Sequence, residues 1–284
     1  MPIALDDVIK QVRDLPSLPA VITELLTSMD REDVDLQSLA KKITLDQALT
    51  AKTLRLANSS FYGMPSKVTT IAQAMSILGF RSIRTLLTAC SVTSAFPATG
   101  TGSFDFQAFW RHSVGTAVAA QKLAPILGVN ADTAFTAGLL HDIGALVLAT
   151  RFKTQYDAML AYRREHDCEV VSAEQAVLGI DHSMVGSALT AHWKFPPEMQ
   201  QAVANHHAPE HAGASALTLV VHAANTLAHA LDLTGTDDDL APPLSSALWD
   251  ALKLDAAGSA VLFNDIETAF HDMCQILVSN EGAA

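Results

Sequence analysis

Cysteine is scarce in this chain of 284 residues, which has three copies: Cys90, Cys168 and Cys274. The three lie far apart in the sequence and form no Cys-x-x-Cys pair. A disulfide framework and a thiolate zinc site are therefore both disfavoured, and the composition suits a reducing compartment.

Basic charge is also in short supply. The chain carries 18 Lys and Arg against 30 Asp and Glu, which gives a formal net charge of −12. A general nucleic-acid binder needs a basic face that displaces counterions from the phosphates. We therefore expect no direct binding of nucleic acid.

Long apolar runs are missing as well. No uncharged apolar stretch reaches the roughly 18 residues that span a bilayer. The first residues, MPIALDDVIKQVRDLP, contain no apolar core of signal-peptide length. We expect a cytoplasmic protein without a membrane partner.

Signals for β-strands are nearly absent, because alternating Val, Ile and Thr runs closed by tight turns do not occur. Apolar residues recur instead at three- and four-residue spacing, as at Leu18, Val21, Ile22, Leu25 and Leu26. This period is typical of amphipathic helices. The sequence predicts an all-α fold.

A cluster of small residues, Pro and Gly at 96–103 (FPATGTGS) is typical of a loop. We place a boundary there, between a multi-helix N-terminal subdomain at 1–103 and a second helical subdomain at 104–284 that packs on it. In the second part we predict helices at about 105–127, 131–149, 153–166, 172–193, 197–206, 215–232, 244–254 and 262–279.

Histidine is abundant, and all 11 copies lie at or after residue 112. Neutral imidazole and carboxylate are good ligands for zinc, iron and manganese, and ligands from separate helices can converge in a helical core. A carboxylate can bridge two ions, and a metal-bound water attacks phosphoesters. The pattern is compatible with a site for one or two divalent ions (Fe, Zn or Mn), with these candidate ligands: His112, His141, Asp142, His182, His206 and His207.

A histidine near a helix end more often caps the helix or faces water. We expect that simpler role for six others: His166, His192, His211, His222, His229 and His271. The same interpretation stays open for the candidate ligands, because spacing along the chain does not prove that side chains meet.

Two sets of residues resemble known families. Trp110-Arg111-His112, His141-Asp142-Ile143-Gly144, Asp181-His182 and His206-His207 follow the order found in the HD superfamily of metal-dependent phosphohydrolases. Upstream, residues 43–52 (ITLDQALTAK), 54–59 (LRLANS) and 74–79 (AMSILG) resemble the HDOD family, a signalling relative of those enzymes. The resemblance covers about residues 10–230.

The resemblance implies an all-helical fold with an HD-like C-terminal subdomain and a role in bacterial signal transduction. His112 resembles the first metal-binding histidine, and His141 and Asp142 resemble the HD pair, with Asp142 as the bridging carboxylate. His182, His206 and His207 resemble the extra histidines of two-metal phosphodiesterases for cyclic di-GMP. Many HDOD proteins carry a receiver domain, as response regulators do; we expect none here, because the pattern begins almost at Met1.

The sequence also departs from the enzymes. Their last metal ligand is an aspartate on a later helix, and the equivalent here is Asn225, a neutral amide. The Gly-Tyr-Pro element after the paired histidines is missing, and Ala145 stands where many phosphodiesterases have a lysine.

Three hypotheses follow from this mixture. The preferred one is a regulatory module of the HDOD type, without catalysis, that retains a metal-binding pocket and works through signalling proteins or a nucleotide or cyclic dinucleotide ligand. The second is an active metal-dependent phosphohydrolase or cyclic-dinucleotide phosphodiesterase. The third is a metal or redox sensor.

Overall fold

The computed structural model describes residues 2–15, 18, 22–23, 36–58, 67–96, 103–209, 214–235, 241–244 and 246–278. Within these ranges the regular structure is helical and contains no strand, which confirms the predicted all-α fold. Most of the predicted run at 18–28, most of the loop at 96–103 and His211 lie outside the described residues.

The N-terminal part contains α1 (Leu5–Arg13), α2 (Leu36–Thr44), α3 (Gln47–Ala57) and α4 (Ile71–Ala95). Helices α2 and α3 pack against α4 and against each other. The sequence shows an apolar run on either side of Gly79, and both runs belong to α4. The helix is kinked between them, because Gly79 adopts a non-helical conformation with a φ of 81°.

The second part begins with α5 (Phe106–Leu123), which a short 3-10 turn (Ala124–Leu127) follows. The remaining helices are α6 (Ala131–Leu140), α7 (Ile143–Arg151), α8 (Lys153–His166), α9 (Val170–Leu178), α10 (His182–His192), α11 (Pro197–Asn205), α12 (Ala216–Ala230), α13 (Ser246–Ala251) and α14 (Ala256–Leu277).

Side-chain caps explain where many of these helices begin. Thr70, Asp105, Asn130, Asp181 and Ser215 each accept a hydrogen bond from a backbone N–H in the first turn of the helix that follows. Such caps satisfy amides that have no partner within the helix. Asp255 does the same for α14, so this helix begins at Ala256 and not at the predicted residue 262.

Two helices that the sequence predicts as continuous are broken, and those predictions were wrong. The helix predicted at 131–149 stops at Leu140 and restarts at Ile143, so His141 and Asp142 occupy the turn between α6 and α7. The helix predicted at 172–193 stops at Leu178, because Gly179 adopts a left-handed φ of 73° and Asp181 caps a new helix. Continuous apolar periodicity concealed both breaks.

Helix α5 lies at the centre of the second part and packs against α6, α12 and α14. Gly138 permits the close crossing with α6, since a Cβ there would lie 2.9 Å from the Cα of Ala117. Helix α6 also contacts α4, and α14 contacts α3, whereas α1 packs on α7 and α10. The boundary at residue 103 stays a prediction.

One helical stretch, Ala131–Arg151, has the length and apolar composition of a membrane-crossing helix. In this fold 78% of its most apolar window is buried, and the stretch is interrupted at His141 and Asp142. Burial in the protein core accounts for that composition.

Helices α7 and α10 cross with their backbones in close contact. A Cβ on Gly144 would lie 2.0 Å from the carbonyl oxygen of His182 and 2.5 Å from the backbone nitrogen of Gly186. Both atoms belong to the backbone, so neither can rotate away. The crossing brings the start of α10, with His182, against the start of α7, with Asp142.

We predict that Gly144→Ala lowers the free energy of unfolding by about 1–3 kcal/mol, because the added methyl group forces the two helices apart. Thermal melting followed by circular dichroism measures the change. Gly258→Ala, on the partly exposed start of α14, is the control: its added Cβ would meet the exposed Asp255 side chain at 3.2 Å and no backbone atom of another helix, so stability should not fall by more than about 1 kcal/mol. Equal melting curves for Gly144→Ala and the wild type would show that the crossing is looser than described.

Candidate metal centre

The turn between α6 and α7 holds the side chains of His141 and Asp142 in the interior. His141 is fully buried, and its Nδ1 donates a hydrogen bond to the carbonyl of Gly138 at 2.7 Å. The Asp142 side chain is 21% exposed. This pair therefore lies in the turn between two helices, where both side chains can point into the interior.

Four imidazoles surround the Asp142 carboxylate. Its Oδ2 lies 3.2 Å from Nε2 of His141 and 3.5 Å from Nε2 of His112. Its Oδ1 lies 3.1 Å from Nε2 of His182 and 3.2 Å from Nε2 of His206. Each carboxylate oxygen thus faces its own pair of histidines.

His207 completes the cluster, because its Nε2 lies 3.0 Å from Nε2 of His182. The ligand atoms form two groups that share the carboxylate, with members of each group within 4.8 Å of one another. All six candidates from the sequence therefore meet, in these groups: Asp142, His182, His206 and His207; and His112, His141 and Asp142.

The hydrogen bonds on the far side of the rings fix which nitrogen carries the proton. Nδ1 of His141 faces the Gly138 carbonyl, and Nδ1 of His206 faces the Val203 carbonyl at 2.8 Å. A carbonyl only accepts, so each Nδ1 carries hydrogen and each neutral ring presents its Nε2 lone pair to the centre. This is the tautomer that binds a metal ion.

The converging lone pairs repel one another unless a positive charge lies between them. Nε2 of His112 lies 3.1 Å from Nε2 of His141, and Nε2 of His182 lies 3.4 Å from Nε2 of His206. Ligands about 2.0–2.1 Å from a tetrahedral ion stand about 3.3 Å apart, so the spacing fits coordination. The donor set suits zinc, iron or manganese and does not choose among them.

The acid–base equilibria also favour positive charge at this point. Burial alone would raise the pKa of the Asp142 carboxyl, but the imidazoles of His141 and His182 hold that pKa well below its ordinary value. Burial lowers the pKa of His206 to about 4 and also lowers the pKa of His207. At neutral pH Asp142 therefore offers an ionised carboxylate, and His206 and His207 offer neutral imidazoles, which are the forms that bind metal.

Glu174 is a functional residue that the sequence reasoning missed. It is fully buried on α9, and its Oε2 accepts hydrogen bonds from the backbone N–H of His182 at 2.9 Å and from Nδ1 of His182 at 2.7 Å. Burial lowers the pKa of His182, yet Glu174 and Asp142 raise it well above the ordinary value. A carboxylate behind a histidine orients the ring and strengthens it as a ligand.

Two further histidines contact residues of the centre, and the simpler role expected for them stays a prediction. His222 is buried, and its Nδ1 donates to the backbone carbonyl of His206 at 2.8 Å. His229 is half-buried, and its ring lies tilted against that of His112, with ring centroids 4.4 Å apart. By contrast His166 and His271 are exposed and face carbonyls of their own helices, as expected.

Asn225 occupies α12 beside the centre. Its side chain is 1% exposed, and its Oδ1 has no hydrogen-bond partner among the described residues. A buried amide oxygen without a donor is costly, and a cation or a bound ligand would satisfy it. An amide oxygen is a neutral ligand, in contrast to a carboxylate.

A cavity of about 390 Å³ opens onto the centre. His112, Asp142, His182, His207 and Asn225 line it. Its lining also includes aromatic and apolar residues and an arginine: Phe104, Phe109, Tyr156, Leu160 and Arg163. A ligand that enters would therefore meet imidazoles as well as apolar side chains.

Comparison with known proteins identifies the relatives of this chain. The sequence model of the HDOD domain matches residues 15–209, more than half of the chain. An uncharacterised protein of Treponema pallidum is 24% identical over 204 residues. The match covers 71% of this chain and 39% of that protein, so the chain spans about two fifths of the relative's length.

Two solved structures share the fold. One, from Shewanella amazonensis, is provisionally described as a phosphohydrolase; it has a TM-score of 0.77 and 29% identity and covers 95% of this chain and 97% of its own. Another, from Marinobacter aquaeolei, is provisionally described as a signal transduction protein. It has a TM-score of 0.77 and 22% identity, and the match covers 96% of this chain and 64% of the other.

We predict that Asp142→Asn removes bound metal, because the shared carboxylate is the single anionic group among the clustered ligand atoms of the described residues. Elemental analysis after gel filtration should find less than about a tenth of the wild-type content. Asp265→Asn, the same chemical change at an exposed position of α14, should retain it. Full metal content in Asp142→Asn would rule out this carboxylate as a ligand.

We predict that Glu174→Gln weakens metal binding by about 10–100-fold, because His182 loses its charged partner while the side-chain shape is kept. Competition with a chromophoric chelator measures the affinity. Glu169→Gln is the matched control, since Glu169 lines the same cavity but is exposed. Equal affinity in both variants would mean that Glu174 only fills space.

Proposed function

This chain belongs to the HDOD domain family, and from that premise we propose that it is a bacterial signal-transduction module that binds metal and a ligand without turning the ligand over. Its pocket holds the ligand types of an HD centre in converging positions. The proposal joins that geometry to the regulatory role that the family resemblance implies.

Asn225 is the observation that carries the proposal. Hydrolysis of a phosphoester at a two-metal centre needs both ions in place, one to activate water and the other to hold the phosphate oxygens. The clustered ligands here supply five neutral imidazoles and one carboxylate. With an amide at residue 225, the centre lacks the second negative charge that would stabilise two adjacent cations.

The cavity supports a ligand with one anionic and one aromatic part. Ions bound by the clustered histidines and Asp142 would supply positive charge for phosphate oxygens. Phe104 and Tyr156 offer faces on which a flat base can stack, and Arg163 stands beside them. We propose a nucleotide or cyclic dinucleotide as the ligand, and other signalling proteins as the partners that respond to it.

The cellular setting of the proposal is the reducing cytoplasm. Cys90, Cys168 and Cys274 form no disulfide bond with one another, and Cys90 and Cys274 are buried. Burial raises the pKa of the Cys274 thiol to about 12, which keeps it in the unreactive protonated form.

A metal-dependent phosphohydrolase is the second candidate. The five candidate histidines cluster around the Asp142 carboxylate, which favours this function. The 29% identity to a protein provisionally described as a phosphohydrolase favours it as well. The two candidates differ in one measurable property, which is turnover by metal-loaded protein.

We predict that protein loaded with manganese or iron binds cyclic di-GMP or a mononucleotide in equilibrium dialysis but does not hydrolyse them. Enzymes of this type turn over at about 1 per second or faster, so chromatography of the products after an hour separates the cases. Asp142→Asn should lose the binding, and Asp265→Asn should keep it. Turnover at an enzyme-like rate that Asp142→Asn abolishes would establish the phosphohydrolase instead.

A further inference from the structure

The two halves of the centre differ in their ligands, and we propose that they hold metal unequally: a resident ion at one half and an exchangeable ion at the other. The Oδ1 site comprises Oδ1 of Asp142 with His182, His206 and His207; the Oδ2 site comprises Oδ2 of Asp142 with His112 and His141. This inference rests on the proposed function, which requires the centre to bind metal.

The Oδ1 site has four protein ligands, and two of its rings are firmly anchored. Glu174 fixes His182, and the Val203 carbonyl fixes His206. The backbone of His206 is tied in addition by Nδ1 of His222 at 2.8 Å. Pre-oriented ligands lose little freedom when an ion binds, which favours high affinity.

The Oδ2 site has three protein ligands in the cluster. Its carboxylate oxygen lies 3.5 Å from Nε2 of His112, farther than Oδ1 lies from His182 or His206. Asn225, which lines the same cavity as His112 and Asp142, offers an uncharged oxygen that has no hydrogen-bond partner among the described residues. Three protein ligands leave coordination positions open to water or to a ligand in the cavity.

Charge separates the sites further. An ion at the Oδ1 site uses the negative charge of Asp142 and benefits from Glu174 behind His182. A second ion must then bind next to the first, with a shared carboxylate whose charge is already neutralised. Mutual repulsion lowers the affinity for that second ion, and an amide at residue 225 does nothing to offset the repulsion.

Unequal sites would make the pocket responsive to its surroundings. The resident ion would keep His182, His206 and His207 in place at all times. The exchangeable ion would bind when metal is plentiful, and a ligand with oxygen donors would strengthen its binding by filling the open positions. By linkage, that ion would strengthen the binding of the ligand to the same degree.

The test compares ion retention in four proteins purified in manganese and passed through gel filtration: the wild type, His112→Ala, His207→Ala and Asn225→Asp. Elemental analysis counts the retained ions, and manganese titration followed by electron paramagnetic resonance measures the weaker site. Exposed His271→Ala is the control for the loss of a histidine, and circular dichroism checks the fold.

We expect the wild type to retain about one ion and to bind a second at least about tenfold more weakly. His112→Ala should keep the retained ion and lose the second, whereas His207→Ala should lose the retained ion. Asn225→Asp should retain about two ions, because it adds a negative charge to the cavity onto which the centre opens. If either alanine variant fails to fold, the ion count of Asn225→Asp still tests the proposal.

Two equally retained ions in the wild type would overturn the inequality while leaving a metal-binding module intact. Loss of the retained ion in folded His112→Ala, with retention in folded His207→Ala, would also overturn it, since the order of the sites would be reversed. An unchanged ion count in Asn225→Asp would refute the role given to Asn225. Absence of metal from every protein would refute both this inference and the proposed function.

Discussion

Crowding of imidazole nitrogens around one carboxylate is the constraint on which the rest of the structure depends. Five Nε2 atoms converge near Asp142, and carbonyl acceptors on the outer side of His141 and His206 turn the lone pairs inward. In a buried site such an arrangement is repulsive unless a cation joins the ligands. Three features hold the ligand atoms in this arrangement: the turn between α6 and α7, the crossing at Gly144 and the buried Glu174.

Much of the fold and of the site can be predicted from the sequence, because both depend on local patterns. Apolar periodicity predicts that the chain is helical, and histidines inside apolar runs, together with the aspartate that follows His141, identify the six residues that meet. The breaks at His141 and at Gly179 escape detection, since apolar periodicity continues across them. Glu174 and His222 escape for another reason: their importance lies in contacts with residues distant along the chain, Glu174 with His182 and His222 with His206.

The same centre is the reason why we propose binding without turnover for this chain. Asp142 gives each half of the centre one oxygen, and the remaining clustered ligands are neutral. One cation suffices to relieve the lone-pair repulsion at the half with three histidines. A second cation gains less, because Asn225 brings an amide where the HD enzymes that this chain resembles bring an aspartate. A pocket of this kind can recognise an anionic ligand while lacking the charge that holds two ions through a reaction.

Anomalous X-ray diffraction at the absorption edge of the bound metal tests the central claim most directly. The account predicts a peak between Oδ1 of Asp142 and the Nε2 atoms of His182, His206 and His207, at about 2.0–2.2 Å from each ligand. Diffraction from crystals of the purified protein that shows no anomalous peak among these atoms, with ordinary hydrogen bonds or water between the rings, would contradict it.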